Sequence, residues 1–168
     1  MDFDADIIPG RSIGGLALGE DALELVVRLQ HEGRVSQRPA LNPDFSCYQV
    51  DEALVLIVDH RDFRIVNLAA LAGYRGRLFG YIHAGMSVHE LIAGAPSAVL
   101  KAMRPRNEFL YLDRAQSVGF VLPPDYDDVC DRVEDLPADL RLEALYVVPA
   151  SMHQVAGRDG KLVWRPVG

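Results

Sequence analysis

A chain of 168 residues is the length of one ordinary domain, and it can bury roughly 70% of the surface its unfolded form exposes. With 49% apolar and 24% charged residues it lies near globular averages, which excludes a disordered, collagen-like or disulfide-scaffold chain. A net charge of -7 gives the wrong sign for a protein that grips nucleic acid through overall basicity.

The opening Met1-Asp2-Phe3-Asp4-Ala5-Asp6 has neither a basic n-region nor an apolar stretch of signal-peptide length, and no apolar run approaches the roughly 18 residues a bilayer requires. The expectation is a cytoplasmic protein with no membrane role. Downstream, Glu20 to Gln30 reads as an amphipathic helix through Leu23, Val26, Val27 and Gln30, begun by acids that suit its dipole and ended near Gly33. Three strands follow: Cys47 to Val50, Ala53 to Asp59 and Phe63 to Leu71, the last two joined by the turn-like His60-Arg61-Asp62. Gly73-Tyr74-Arg75-Gly76 punctuates the chain, and Leu78 to His83 reads as a short strand leading to Gly85. A second helix is expected after Ser87, which stands three residues before Glu90 as a capping box requires, with Gly94 and Pro96 as the stop. Strands are expected again at Glu108 to Leu112, Val118 to Leu122 and Leu142 to Val148. A last hairpin pairs Met152 to Ala156 with Leu162 to Arg165 around Arg158-Asp159-Gly160.

This order of elements runs twice. A shift of 66 residues aligns Gly14 with Gly80, Gly19 with Gly85, Glu24 with Glu90 and Leu25 with Leu91. The expected fold class is therefore α+β: two related helix-plus-antiparallel-meander units in one domain spanning 1–168. The pseudo-repeats cover about 10–75 and 76–150, and the hairpin covers 151–166. An antiparallel meander needs one face covered, and one helix from each half can cover it. Gly19 and Gly85 stand at the two strand-to-helix corners.

Several motifs approach chemistry and stop short. His60-Arg61-Asp62 followed by Asn67 has the spacing of a kinase catalytic loop, yet no Asp-Phe-Gly and no glycine-rich loop with a strand lysine accompany it; a hairpin turn is the simpler reading. His89-Glu90 begins like a zinc-protease helix, but Ala93 holds the second ligand position. Gly10-Arg11-Ser12-Ile13-Gly14-Gly15 lacks the Lys-Ser/Thr ending of a phosphate loop, so a tight turn accounts for its glycines. Cys47 and Cys130 belong to no metal or redox spacing and read as buried thiols. No cofactor is expected.

The charge is lopsided. Pro123 to Leu140 holds seven acids (Asp125, Asp127, Asp128, Asp131, Glu134, Asp135, Asp139) against Arg132 alone, leaving the other 150 residues close to neutral. Tyr126, Val129, Cys130, Val133 and Leu136 are interleaved with these acids, approaching helical spacing from Val129 to Leu136. Two readings stand side by side: a solvated loop, and an ordered acidic face that suits a basic protein partner.

The phrase Tyr81-Ile82-His83-Ala84-Gly85-Met86-Ser87-Val88-His89-Glu90-Leu91 resembles the Gly-Met-Ser/Thr-x-x-Glu-Val/Leu corner in the repeats of beta-lactamase-inhibitor-like proteins and related outer-membrane assembly lipoproteins. The run from Phe63 through Ile92 is also similar to cytoplasmic immunity proteins of bacterial toxin systems. In the first copy Glu20-Asp21 stands where that pattern has Met-Ser/Thr, and the lipobox cysteine of the lipoprotein branch is missing. The resemblance implies a non-enzymatic protein that binds a toxin domain, basic in charge, and occludes its active site. The binding residues expected on that basis are Asp125, Tyr126, Asp127, Asp128, Asp131, Glu134 and Asp135, with Tyr126 as anchor. Two other classes stay open: a small hydrolase or metal-dependent enzyme using His83, His89 and Glu90, or Cys47 with a histidine, and a structural assembly protein.

Overall fold

The computed structural model describes residues 1–40, 42–106, 108–126, 130–150, 152–156 and 162–166. Its centre is an eight-stranded antiparallel sheet in the order β3-β4-β5-β6-β10-β9-β8-β7. The first half supplies β3 (Val35–Arg38), β4 (Phe45–Val50), β5 (Leu54–Asp59) and β6 (Ile65–Ala70). The second half supplies β7 (Arg104–Arg106), β8 (Phe109–Tyr111), β9 (Val118–Val121) and β10 (Leu145–Val147). The halves join through β6 and β10, with Leu145 opposite Ala70 and Val147 opposite Leu68. The protein is thus a mixed α+β fold, as its pattern of elements predicts.

Because side chains alternate across a strand, register decides what each face carries. One row runs Val50, Leu54, Ala70, Leu145, Phe120, Leu110 across six strands, and every member is buried. This inner face meets α1 (Leu23–His31) and α2 (Val88–Gly94), whose Val26, Leu29, Val88 and Leu91 join the same apolar cluster. A miniature hairpin of β1 (Ser12–Ile13) and β2 (Leu16–Ala17), with Tyr74, Leu78 and Ile82, closes that side.

The corners at which each half enters its helix are built alike. Gly19 N–H donates to Ile65 O and Gly85 N–H to Leu142 O, both at 2.7 Å. Ile65 N–H returns to Glu20 O and Leu142 N–H to Met86 O, both at 2.9 Å, while Ala22 N–H reaches Phe63 O and Val88 N–H reaches Leu140 O. Arg64 and Arg141 each donate a guanidinium N–H to the corner glycine's carbonyl. Both glycines hold positive φ, +80° and +85°. Between corner and sheet the halves differ, since α2 is shorter than α1 and is followed by α3 (Ser97–Leu100).

Several elements depart from the sequence reading. α1 buries Val26 and Leu29, and its N-cap Ala22 is buried beside them, whereas Leu23 and Val27 lie 46% and 44% exposed. The helix has apolar residues enough for two stripes, and the Ala22–Phe63 hydrogen bond ties down the end of the one that runs through Ala22, Val26 and Leu29. Leu78 to His83 is a tight turn rather than a strand: Leu78 and Ile82 exchange backbone hydrogen bonds across it. β3 and β7 are unforeseen, and both are outermost strands. The expected hairpin is present as β11 (Met152–Ala156) and β12 (Leu162–Pro166), paired in the register Met152 to Pro166 and Ala156 to Leu162; its turn lies outside the described residues. Among the described residues, no helix is long and apolar enough to cross a membrane.

Candidate functional site

The acidic stretch forms the long connection from β9 to β10, at the position where the first half turns through His60-Arg61-Asp62. It is not the helix its apolar spacing predicts. Two single-turn 3-10 segments, Pro124–Tyr126 and Val133–Asp135, are separated by residues 127–132, of which 127–129, including the expected Asp127 and Asp128, lie outside the described residues.

The segment is nevertheless pinned. Val133 and Leu136 are 1% and 4% exposed and pack into the core cluster, where Tyr126 and Cys130 also rest. Ala138 O and Leu140 O accept the N–H groups of His89 and Val88, using the donors that open α2. Asp135 clips Arg132, accepting from its backbone N–H at 3.1 Å and its guanidinium at 3.4 Å. Asp125, Asp131, Glu134 and Asp139 are exposed, and none of them forms an ion pair among the described residues. Tyr126, the expected anchor, is half-buried and packs against the core.

Of the residues nominated for an enzyme, Glu90 is engaged at the start of α2. Glu90 accepts from Ser87 N–H at 2.6 Å, while Ser87 Oγ accepts from Glu90 N–H at 3.1 Å, so the capping box is formed as its spacing predicts. Arg141 approaches the same carboxylate at 3.3 Å. The Ser87 amide, aided by Arg141, holds Glu90 below the usual carboxylate range. His83 turns Nδ1 to Ala84 O, and His89 is exposed. Among the described residues, no three His, Cys, Asp or Glu side chains gather as a metal site would require. The kinase-like residues are a β5–β6 turn, and the amides of Arg11 and Ser12 are spent on Ile8 O, which accounts for the glycine-rich loop.

One polar contact escaped the sequence reading. Ser46 Oγ lies 2.7 Å from His60 Nε2, beside a shallow depression edged by Arg38, Pro43 and Phe45. The β4–β5 register brings them together by setting Ser46 opposite Val58, two residues before His60. A nucleophile-and-base unit needs a third group to orient the imidazole. The adjacent carboxylate, Asp59, is instead committed to Arg61, whose hydrogen bonds hold it at a pKa of about 2. The pair ties β4 to the turn. Cys47 and Cys130 are free and half-buried, and burial pushes the Cys47 thiol up, away from the thiolate that nucleophilic work demands.

No protein-family model, curated protein or solved structure matches this chain.

Proposed function

We propose that this chain is a non-enzymatic binding protein of the immunity type. It acts in the cytoplasm and neutralises a basic toxin domain by laying the 123–140 segment across the toxin's cationic active site. The observation that carries the reading is the two-sidedness of that segment. Its apolar side chains are locked in the core while Asp125, Asp131, Glu134 and Asp139 face solvent. Charges held this way need little ordering when a partner arrives, so more of the gross attraction survives as affinity. They also steer encounter with a cationic surface and compete there with phosphate for the same lysines and arginines. The paired hydrogen bonds at Gly19 and Gly85 and the two four-strand runs support a scaffold used twice, with the acidic connection set into its second copy.

The test uses the toxic domain encoded by the neighbouring reading frame, mixed with the full chain by stopped flow. Asp125→Lys, Asp131→Lys and Glu134→Lys together reverse three exposed charges. Association is expected to slow by about 10- to 100-fold at low ionic strength, the gap narrowing as salt screens it. Equal rates for both proteins at every salt concentration would remove the acidic segment from the interface.

A further inference from the structure

We infer that the hollow between the end of α3, β7 and the β8–β9 turn is a binding site for a small molecule that carries a phosphate group. The inference goes beyond the acidic-segment reading and shares no residue with it. The hollow measures about 310 Å³ and is lined by Lys101, Arg104, Tyr111, Asp113, Arg114 and Gln116. That volume lies at the small end of the range for small-molecule sites. Three of the lining side chains are cations, in a chain whose net charge is -7. Among the described residues none of the three forms an ion pair. The carboxylate beside them does not answer them: Asp113 accepts from Ser117 N–H at 2.8 Å and from Ser117 Oγ at 2.5 Å. Like charges crowded round one hollow repel each other, and an anion seated among them turns that repulsion into attraction.

The fold holds these groups ready. Arg104 stands opposite Tyr111 in the β7–β8 register, and its Nη1 donates to Lys101 O at 2.9 Å and to Met103 O at 2.6 Å. Those bonds fix the guanidinium and leave its Nε and Nη2 edge unengaged among the described residues, the edge that meets two phosphate oxygens in parallel. Tyr111 is 3% exposed, and burial pushes its phenol above the ordinary range, so the hydroxyl stays a neutral donor. Gln116 holds a φ of +55°, which glycine adopts without strain; a glutamine there keeps an amide at the hollow. The acidic segment begins beyond the far end of β9, about 13 Å of strand away, which exceeds the ~8 Å screening length of physiological salt. Its charge therefore does not cancel the field of the three cations. These converge on one hollow, which suits a single phosphate group rather than a nucleic-acid backbone.

The test titrates inorganic pyrophosphate into the full chain at constant ionic strength and follows the backbone amides by NMR. Saturable shifts are expected at Lys101, Arg104, Tyr111, Arg114 and Gln116. Lys101→Gln together with Arg114→Gln removes two charges that the fold does not use in any ion pair, and should weaken binding about tenfold or more. Arg28→Gln together with Arg38→Gln removes the same charge on α1 and β3, towards the opposite end of the sheet, and should leave the affinity unchanged. Equal weakening by the two pairs, the mark of overall charge alone, would overturn the proposal. So would shifts scattered over every exposed basic residue, or a titration that does not saturate at millimolar pyrophosphate.

Discussion

Replacing Gly85 and Gly19 by alanine separates two costs that the corners combine. Both glycines hold a φ that an L side chain adopts at about 1–2 kcal/mol, so each substitution carries that strain. Their surroundings differ. A Cβ on Gly19 meets nothing within 4 Å, whereas one on Gly85 falls 3.2 Å from the Cβ of Ala72, inside the 3.5–4.0 Å optimum for carbon pairs. Relief of that overlap by a small backbone shift leaves up to about 1 kcal/mol of further cost. The expected losses are therefore about 1–2 kcal/mol for Gly19→Ala and about 2–3 kcal/mol for Gly85→Ala, read from urea midpoints at unchanged slope. Ala72→Gly should cost less in the Gly85→Ala background than in the Gly19→Ala background, the difference being a coupling of about 1 kcal/mol. Equal losses at the two corners, or no coupling to Ala72, would refute the contact; stability unchanged by both alanines would refute the strain.

Asp59 supplies a pH dependence whose sign is fixed. Its folded pKa of about 2 lies below the ordinary 3.8, so the Arg61 pairing stabilises fully above about pH 4 and is lost as pH falls towards 2. Arg61 is 82% exposed, and solvent screening reduces the benefit to about 1 kcal/mol. Asp59→Asn should therefore be less stable than the parent at neutral pH and indistinguishable from it near pH 2; a gap that persists in acid would refute the assignment. Ser87→Ala, which removes one arm of the capping box, should cost about 1 kcal/mol in thermal or urea unfolding. Glu90→Ala added to it should cost much less than it does alone, and full additivity would show that the two arms act separately.

The central strands and the start of α2 were legible because their signals are local. β4, β5 and β6 are dense in β-branched and apolar residues between turn signals, and Ser87 with Glu90 encodes a helix start in four positions. β3 and β7 were not, since Val-Ser-Gln-Arg and Arg-Pro-Arg carry no apolar alternation. They become strands only because a neighbouring strand offers its unpaired groups, which is tertiary information. The same reasoning explains α1, whose composition permits two buried stripes, and Ser46 with His60, which meet through a register invisible before the strands are paired. For the acidic segment, composition revealed where the charge lies. Its interleaved apolar residues were read by spacing alone, and the two single 3-10 turns that seat them on the core are set by tertiary packing.

The two outermost strands have a bearing on how the protein behaves when concentrated. An open sheet terminates in unpaired amides and carbonyls that invite a second molecule to add on, the first step towards fibrils. At one end Arg38, and at the other Arg104 and Arg106 around Pro105, set like charges and a missing donor where an incoming strand must lie. Polymer growth from either end is thereby discouraged, and the residues that hid these strands from the sequence reading are the same ones that keep the molecule from stacking.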